Sequence, residues 1–211
     1  KFYLMRKVGL PDLTSTQALY GTLAHRSIEL FHGTVLRAMK NKEPINLGDD
    51  WVEETVRGVA SGLKNNGADF SLEQIMRASE EVNSYLEGKA VDWMQRITGS
   101  EEDVREITEE AIFFGQLDLV LDKGEAIIDF KTGRKPQEGS ERLRTYKDQL
   151  LFYRSLMMKE GENPEDKDHI WYFTREGETK EVSFTFTASD VAEIRKRSLA
   201  IVEKIEEQNF D

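Results

Sequence analysis

The sequence predicts an α/β protein of the α+β kind, with a central mixed β-sheet flanked by helices and a helical side lobe. Three observations carry this reading. Apolar residues recur at helical spacing early in the chain, and residues 104–132 are rich in β-formers. A helix, two strands and a final helix then follow. At 211 residues the chain suits one domain with room for a sizeable core.

After a loop at Gly9-Leu10-Pro11-Asp12, Ser15 or Thr16 can cap a helix reaching about Lys40. Its apolar stripe is Tyr20, Ala24, Ile28, Phe31, Val35 and Met39. Two more helices are expected over about Asp50–Lys64 and Ser71–Ile97, broken at Asn65-Asn66-Gly67, the later one opening on a capping box of Ser71 with Gln74. The β-rich stretch from Val104 to Thr132 is divided by a turn at Asp122-Lys123-Gly124. Arg142–Lys159 reads as helix, and His169–Arg175 and Glu181–Thr187 as strands joined at Glu176-Gly177-Glu178. A charged helix from about Ala188 to Glu207, capped by Thr187, ends the pattern.

The chain contains no cysteine, which excludes disulfides, cysteine-ligated zinc, iron–sulfur clusters and thiol nucleophiles within it. No apolar run approaches the ~20 residues of a membrane span, and no signal peptide is expected, so a cytoplasmic location fits. The start at Lys1-Phe2-Tyr3-Leu4 reads as the middle of an element and suggests a piece of something longer. A net charge of −11 argues against a broad basic footprint for nucleic acid, although a bound cation would place positive charge where a phosphate must sit.

Gly115-Gln116-Leu117-Asp118 and Ile128-Asp129-Phe130-Lys131-Thr132-Gly133 carry the chemistry. On a strand Asp129 and Lys131 share one face, while Ala126, Ile128 and Phe130 take the other. Asp118 likewise shares a face with Gln116 and Val120, opposite Leu117 and Leu119. A two-residue hairpin loop at Lys123-Gly124 sets Asp118 across from Asp129, and Gln116 across from Lys131. Facing carboxylates repel unless something compensates, and a divalent cation with oxygen ligands, Mg²⁺ or Mn²⁺, would do so. Lys131 beside it could orient a water or stabilise charge on a phosphate. The plainer alternative makes all three solvent-facing strand residues joined by a salt bridge.

Asp118, then Asp129-x-Lys131 with its Thr-Gly ending, resembles the PD-(D/E)XK nuclease superfamily, specifically its RecB-like branch. Gly21-Thr22-Leu23-Ala24-His25 resembles that branch's Gly-x-x-x-His motif. Gly115 to Asp118 resembles its Gly-x-x-Asp, and Gln149 to Tyr153 its Gln-x-x-x-Tyr. The resemblance implies a restriction-endonuclease-like core over about 14–42 and 103–208, with a helical insertion over about 45–100, in one domain. It further implies metal ligation by His25, Asp118, Asp129 and the backbone carbonyl of Phe130, with Lys131 as the catalytic lysine. Gln149 would steady the lysine or the phosphate, and Tyr153 would pack beside it. The implied activity is Mg²⁺- or Mn²⁺-dependent DNA hydrolysis, exonucleolytic on single-stranded or duplex ends, in DNA repair. A helicase module in the same or a partner chain is the implied companion, and no membrane is involved. Members with a four-cysteine iron–sulfur cluster differ from this chain, which has no cysteine.

His25 lies about 90° around the first helix from its apolar stripe, with Glu29 and His32 on the same face. Glu29 is an auxiliary ligand candidate, whereas His32 and His169 read as structural. Tyr146 and Tyr153 are as well suited to the core as to a site. Arg134, Lys135, Arg142, Arg144 and Lys147 form a basic cluster able to contact DNA phosphates, or simply a solvated loop. The acidic run Glu101-Glu102-Asp103 reads as a solvated face. Two other functions remain open at this level: a catalytically silent DNA-binding or scaffolding domain that keeps the fold, and a metal-dependent hydrolase of another substrate.

Overall fold

A computed structural model describes residues 16–64, 68–132, 135–158, 167–173 and 181–207. Among the described residues four helices come first: α1 (Thr16–Asn41), α2 (Trp51–Lys64), α3 (Leu72–Leu86) and the short α4 (Lys89–Trp93). Strands β1 (Ile97–Ile107), β2 (Ile112–Leu121) and β3 (Ala126–Thr132) follow. Helix α5 (Glu141–Met157), strands β4 (Lys167–Phe173) and β5 (Glu181–Thr185) and helix α6 (Ala188–Glu206) are the remaining described elements. Among the described residues the strands form one sheet in the order β1-β2-β3-β4-β5. Only the β3–β4 pair is parallel, so the sheet is mixed, with α5 lying in the β3–β4 connection.

The helix starts follow their caps. Ser71 and Gln74 form a reciprocal capping box at α3, as do Thr187 and Asp190 at α6. The helix expected to run from Ser71 to Ile97 instead breaks around Gly88, whose φ of −107° and ψ of −105° are not helical, and β1 begins at Ile97 rather than Val104. The expected break at Asn65-Asn66-Gly67, the turn at Glu176-Gly177-Glu178 and the candidate cap Ser15 lie outside the described residues.

The α1 stripe is buried from Tyr20 to Val35, but Met39 is 39% exposed and Ala38 is buried in its place. A helix turns about 100° per residue, so Met39 has rotated about 100° from Tyr20 while Ala38 returns beneath it. That stripe packs on one sheet face against Leu119, Leu121, Ala126, Ile128 and Phe130. Val52 and Val56 of α2 and Val82 and Tyr85 of α3 belong to the same cluster, so the helical lobe and the sheet share one core. On the other face Leu117, Val120 and Ile127 pack with Leu150 and Leu151 of α5, and with Val191 and Ile194 of α6.

The β2–β3 register is the expected one, with Leu119 opposite Ile128 and Leu121 opposite Ala126. The connection is not a two-residue loop, however. Asp122–Gly124 forms a left-handed turn in which Asp122, Lys123 and Gly124 all have positive φ, and the ladder closes at Leu121 and Ala126. A second departure lies at Asp118. Leu117 and Val120 pack on one sheet face and Leu119 on the other, so the strict alternation that would group Leu117 with Leu119 slips there. The registered β2–β3 pairs end at Leu119 and Ile128. Beyond them the N–H of Phe130 donates to Asp118 Oδ2 at 2.8 Å, a side chain taking the place of a backbone acceptor.

Candidate metal and catalytic site

Two close approaches that only glycine permits bring the site together. A Cβ on Gly21 would stand 2.8 Å from Thr132 Oγ1, so α1 can lie against the end of β3 only without a side chain there. One turn later His25 points at the β2–β3 opening, its Nε2 2.9 Å from Asp118 Oδ2. On the other sheet face a Cβ on Gly115 would stand 2.8 Å from the Tyr153 ring. The Gly115 of Gly-x-x-Asp and the Tyr153 of Gln-x-x-x-Tyr are therefore two halves of one contact.

Asp129 is 3% exposed and chelated by Lys131, whose Nζ lies 2.9 Å from Oδ1 and 2.7 Å from Oδ2. Oδ2 is buried, with the Lys131 ammonium as its ion-pair partner. Burial pushes the Asp129 carboxyl up to about 6, the Asp118 charge adds to this, and Lys131 opposes it. Burial alone would lower the Lys131 pKa, but the Asp129 carboxylate outweighs it and the net shift is upward, keeping the ammonium charged. His25 follows the same pattern: burial disfavours its cation, yet Asp118 and then Glu101 and Asp129 raise its pKa overall. The carboxylates expected to face each other uncompensated thus have partners within the chain, Lys131 for Asp129 and His25 with the Phe130 N–H for Asp118.

These residues line an open cavity of about 700 Å³, together with Phe130, Gln116, Gln149, Tyr146, Arg142 and Glu29. Gln149 donates through Nε2 to the Tyr153 hydroxyl at 2.9 Å, so it is held by Tyr153 at the cavity wall. Tyr146 stands by the lysine, with Lys131 Nζ 5.1 Å from its ring centre and Arg142 Nε donating to its hydroxyl at 2.9 Å. Glu29 is tied to Arg26 at the cavity's edge. His32 is structural: it is buried, its Nε2 lies 2.8 Å from the Tyr85 hydroxyl, and its ring stacks on Phe130. Burial drives its pKa down to about 3.

The basic cluster divides. Arg142 lines the cavity, whereas Arg144 and Lys147 line a groove between α5 and α6 beside Arg197. Lys135 does not line the cavity, and Arg134 lies outside the described residues, as does the His169 side chain. A cavity carboxylate was missed. Glu101, read as part of a solvated acidic face, points inward, and its carboxylate, His25 and Asp118 offer ligand atoms within 4.8 Å of one another. The signal that would have found it is its position across from Asp118, which requires β1 to be traced back to Ile97.

The donor set fits a divalent cation. It has one imidazole and several carboxylates, with the buried carboxylate of Asp129 lining the same cavity. Among the described residues no helix is long and apolar enough to cross a membrane.

A solved structure of a candidate exonuclease from Eubacterium rectale has a similar fold, with a TM-score of 0.56 at 16% identity, over 100% of this chain and 75% of that one. No curated protein matches the sequence. A family model of the PD-(D/E)XK nuclease superfamily matches residues 1–211, and the chain belongs to that superfamily.

Proposed function

We propose that this chain hydrolyses DNA phosphodiester bonds with Mg²⁺ or Mn²⁺, as an exonuclease of the RecB-like branch working on single-stranded ends in DNA repair. A helicase module in the same or a partner chain is the proposed companion. One observation carries the reading: His25, Glu101 and Asp118 converge within 4.8 Å, in the same cavity as the buried Asp129–Lys131 pair.

His25 Nε2, Asp118 and Asp129 would hold the cation, with the Phe130 carbonyl beside them. When bound, it supplies Lewis acidity, offsetting phosphate charge and making water a better nucleophile at neutral pH. His25 must release the proton that its Nε2 shares with Asp118, because only neutral imidazole binds a metal. Lys131 remains an ammonium and donates from Nζ to a phosphate oxygen, stabilising the charge that grows there. Asp129 aims that ammonium, and the Tyr146 ring flanks it. Gln149, its amide nitrogen held by Tyr153 at the cavity wall, would steady the lysine or the phosphate. Arg142, on the cavity rim, would contact a neighbouring phosphate.

End-labelled linear and circular single-stranded DNA, incubated with Mg²⁺, Mn²⁺ or EDTA, test this reading. Linear DNA should be degraded with either metal, circular DNA should survive, and EDTA should stop the reaction. Cleavage of circles would remove the exonuclease assignment, and no cleavage with either metal would leave a silent DNA-binding domain.

A further inference from the structure

Glu101 sits within β1 at a φ of 52°, a conformation that side-chain-bearing residues rarely adopt. Ser100 and Glu102 on either side pair with Leu119 and Leu117, so Glu101 falls opposite Asp118. The β1–β2 ladder shifts register between Ile97 and Gly99, just before this point. Asp118 in turn lies beside Asp129, just past the last registered β2–β3 pair, where its Oδ2 accepts from the Phe130 N–H. Three adjacent strands thus set three carboxylates in a row, and the His25 ring reaches the first two of them.

Unlike Asp129, Glu101 forms no ion pair with a lysine or arginine among the described residues; its partner there is His25, with Oε1 3.7 Å from Nδ1. That separation is too long for a hydrogen bond. Its side chain is only 21% exposed. Two roles suit the position. Glu101 could accept from Nδ1–H and so orient His25, or it could bind the cation itself. Two ligands about 2.1 Å from one cation lie no more than roughly 4.2 Å apart. Donor atoms already within 4.8 Å need only small side-chain rotations to reach that arrangement. Direct binding also gives a half-buried carboxylate the cationic partner that an imidazole at 3.7 Å supplies poorly.

We propose that Glu101 is a direct ligand of the cation held by His25 and Asp118, contributed by the first strand of the sheet. This rests on the metal-dependent reading above. The added carboxylate raises the negative charge of the site and so its affinity for a divalent ion.

The test is a calorimetric Mn²⁺ titration of the whole chain at pH 7.5, comparing wild type with Glu101→Gln, Glu101→Ala and Asp118→Asn. Melting in EDTA checks that each variant folds. Glutamine keeps an acceptor for Nδ1–H but loses the charge. Direct ligation predicts that Glu101→Gln and Glu101→Ala both weaken Mn²⁺ binding by about 10- to 100-fold. Glu101→Gln binding Mn²⁺ like wild type would overturn the proposal, whether or not alanine weakens it, because orientation alone would then explain the residue. Asp118→Asn separates the two levels of inference. If it abolishes binding while both Glu101 variants bind normally, only the role of Glu101 falls; if it too binds normally, the metal site itself is misassigned.

Discussion

His25 Nε2 lies 2.9 Å from Asp118 Oδ2, joining the first helix to the second strand at the point where β2 and β3 part. The contact exists because Gly21 lets α1 approach Thr132 one turn earlier. It also means that a proton occupies the position a cation would need. Apparent Mn²⁺ affinity should therefore fall as pH drops, through a range above the ordinary histidine value of about 6.5, because the net shift at His25 is upward. In His25→Ala the affinity should be about 10- to 100-fold lower and its pH dependence flatter. Equal affinity at every pH would make α1 a scaffold only.

Lys131→Ala should lower the cleavage rate by at least about 10²-fold while Mn²⁺ binding stays within several-fold of wild type, since the ammonium contacts phosphate rather than cation. Single-turnover kinetics and titration of the same preparation check both halves. Cleavage within several-fold of wild type would remove Lys131 from the chemistry.

Gly115→Ala should destabilise the fold by about 1–3 kcal/mol, because its Cβ would sit 2.8 Å from the Tyr153 ring. Combining it with Tyr153→Leu should relieve the clash, and urea unfolding of the four-protein cycle should show a coupling of at least about 0.5 kcal/mol. Additive losses would mean that the two motifs do not meet.

His32 gives a pH signature of its own. Burial holds its folded pKa near 3, below the unfolded value of about 6.5. The unfolded chain therefore binds the extra proton first, and the stability contributed by neutral His32 is present above pH 6.5 and lost as pH falls toward 3. His32→Phe should remove up to about 1.4 kcal/mol per pH unit of that slope, read as the wild-type-minus-variant difference in unfolding free energy from pH 7 to 4. A difference constant with pH would show that His32 is not kept neutral.

The parts of this fold governed by local rules could be read from the sequence. The turn at Asp122–Gly124 between two apolar runs was enough to place the β2–β3 register, although β3 is buried on both faces, with Ile128 in one core cluster and Ile127 in the other. Ser71 and Thr187 likewise announced their helices. Glu101 could not be read in the same way. Its strand begins behind the break at Gly88, its register shifts at Gly99, and its backbone is left-handed, so no period-two pattern marks it. The slip at Asp118 was hidden for a related reason. Its side chain takes a hydrogen bond that a strand backbone would normally accept, and sequence periodicity does not record such exchanges. The division of the basic cluster follows from helix geometry instead: Arg142 and Tyr146 share one face of α5, and Arg144 and Lys147 lie round it.

Asp118 is the residue on which all of this converges, bonded to His25 and Phe130 and lying between Glu101 on β1 and Asp129 on β3. The most direct measurement follows Mn²⁺ binding and end-labelled single-strand cleavage together, in wild type and in Asp118→Asn. The account predicts that the asparagine variant stays folded and loses both by at least about 10²-fold. Cleavage at wild-type rates in a variant that no longer binds Mn²⁺, or in wild type with EDTA present, would contradict it.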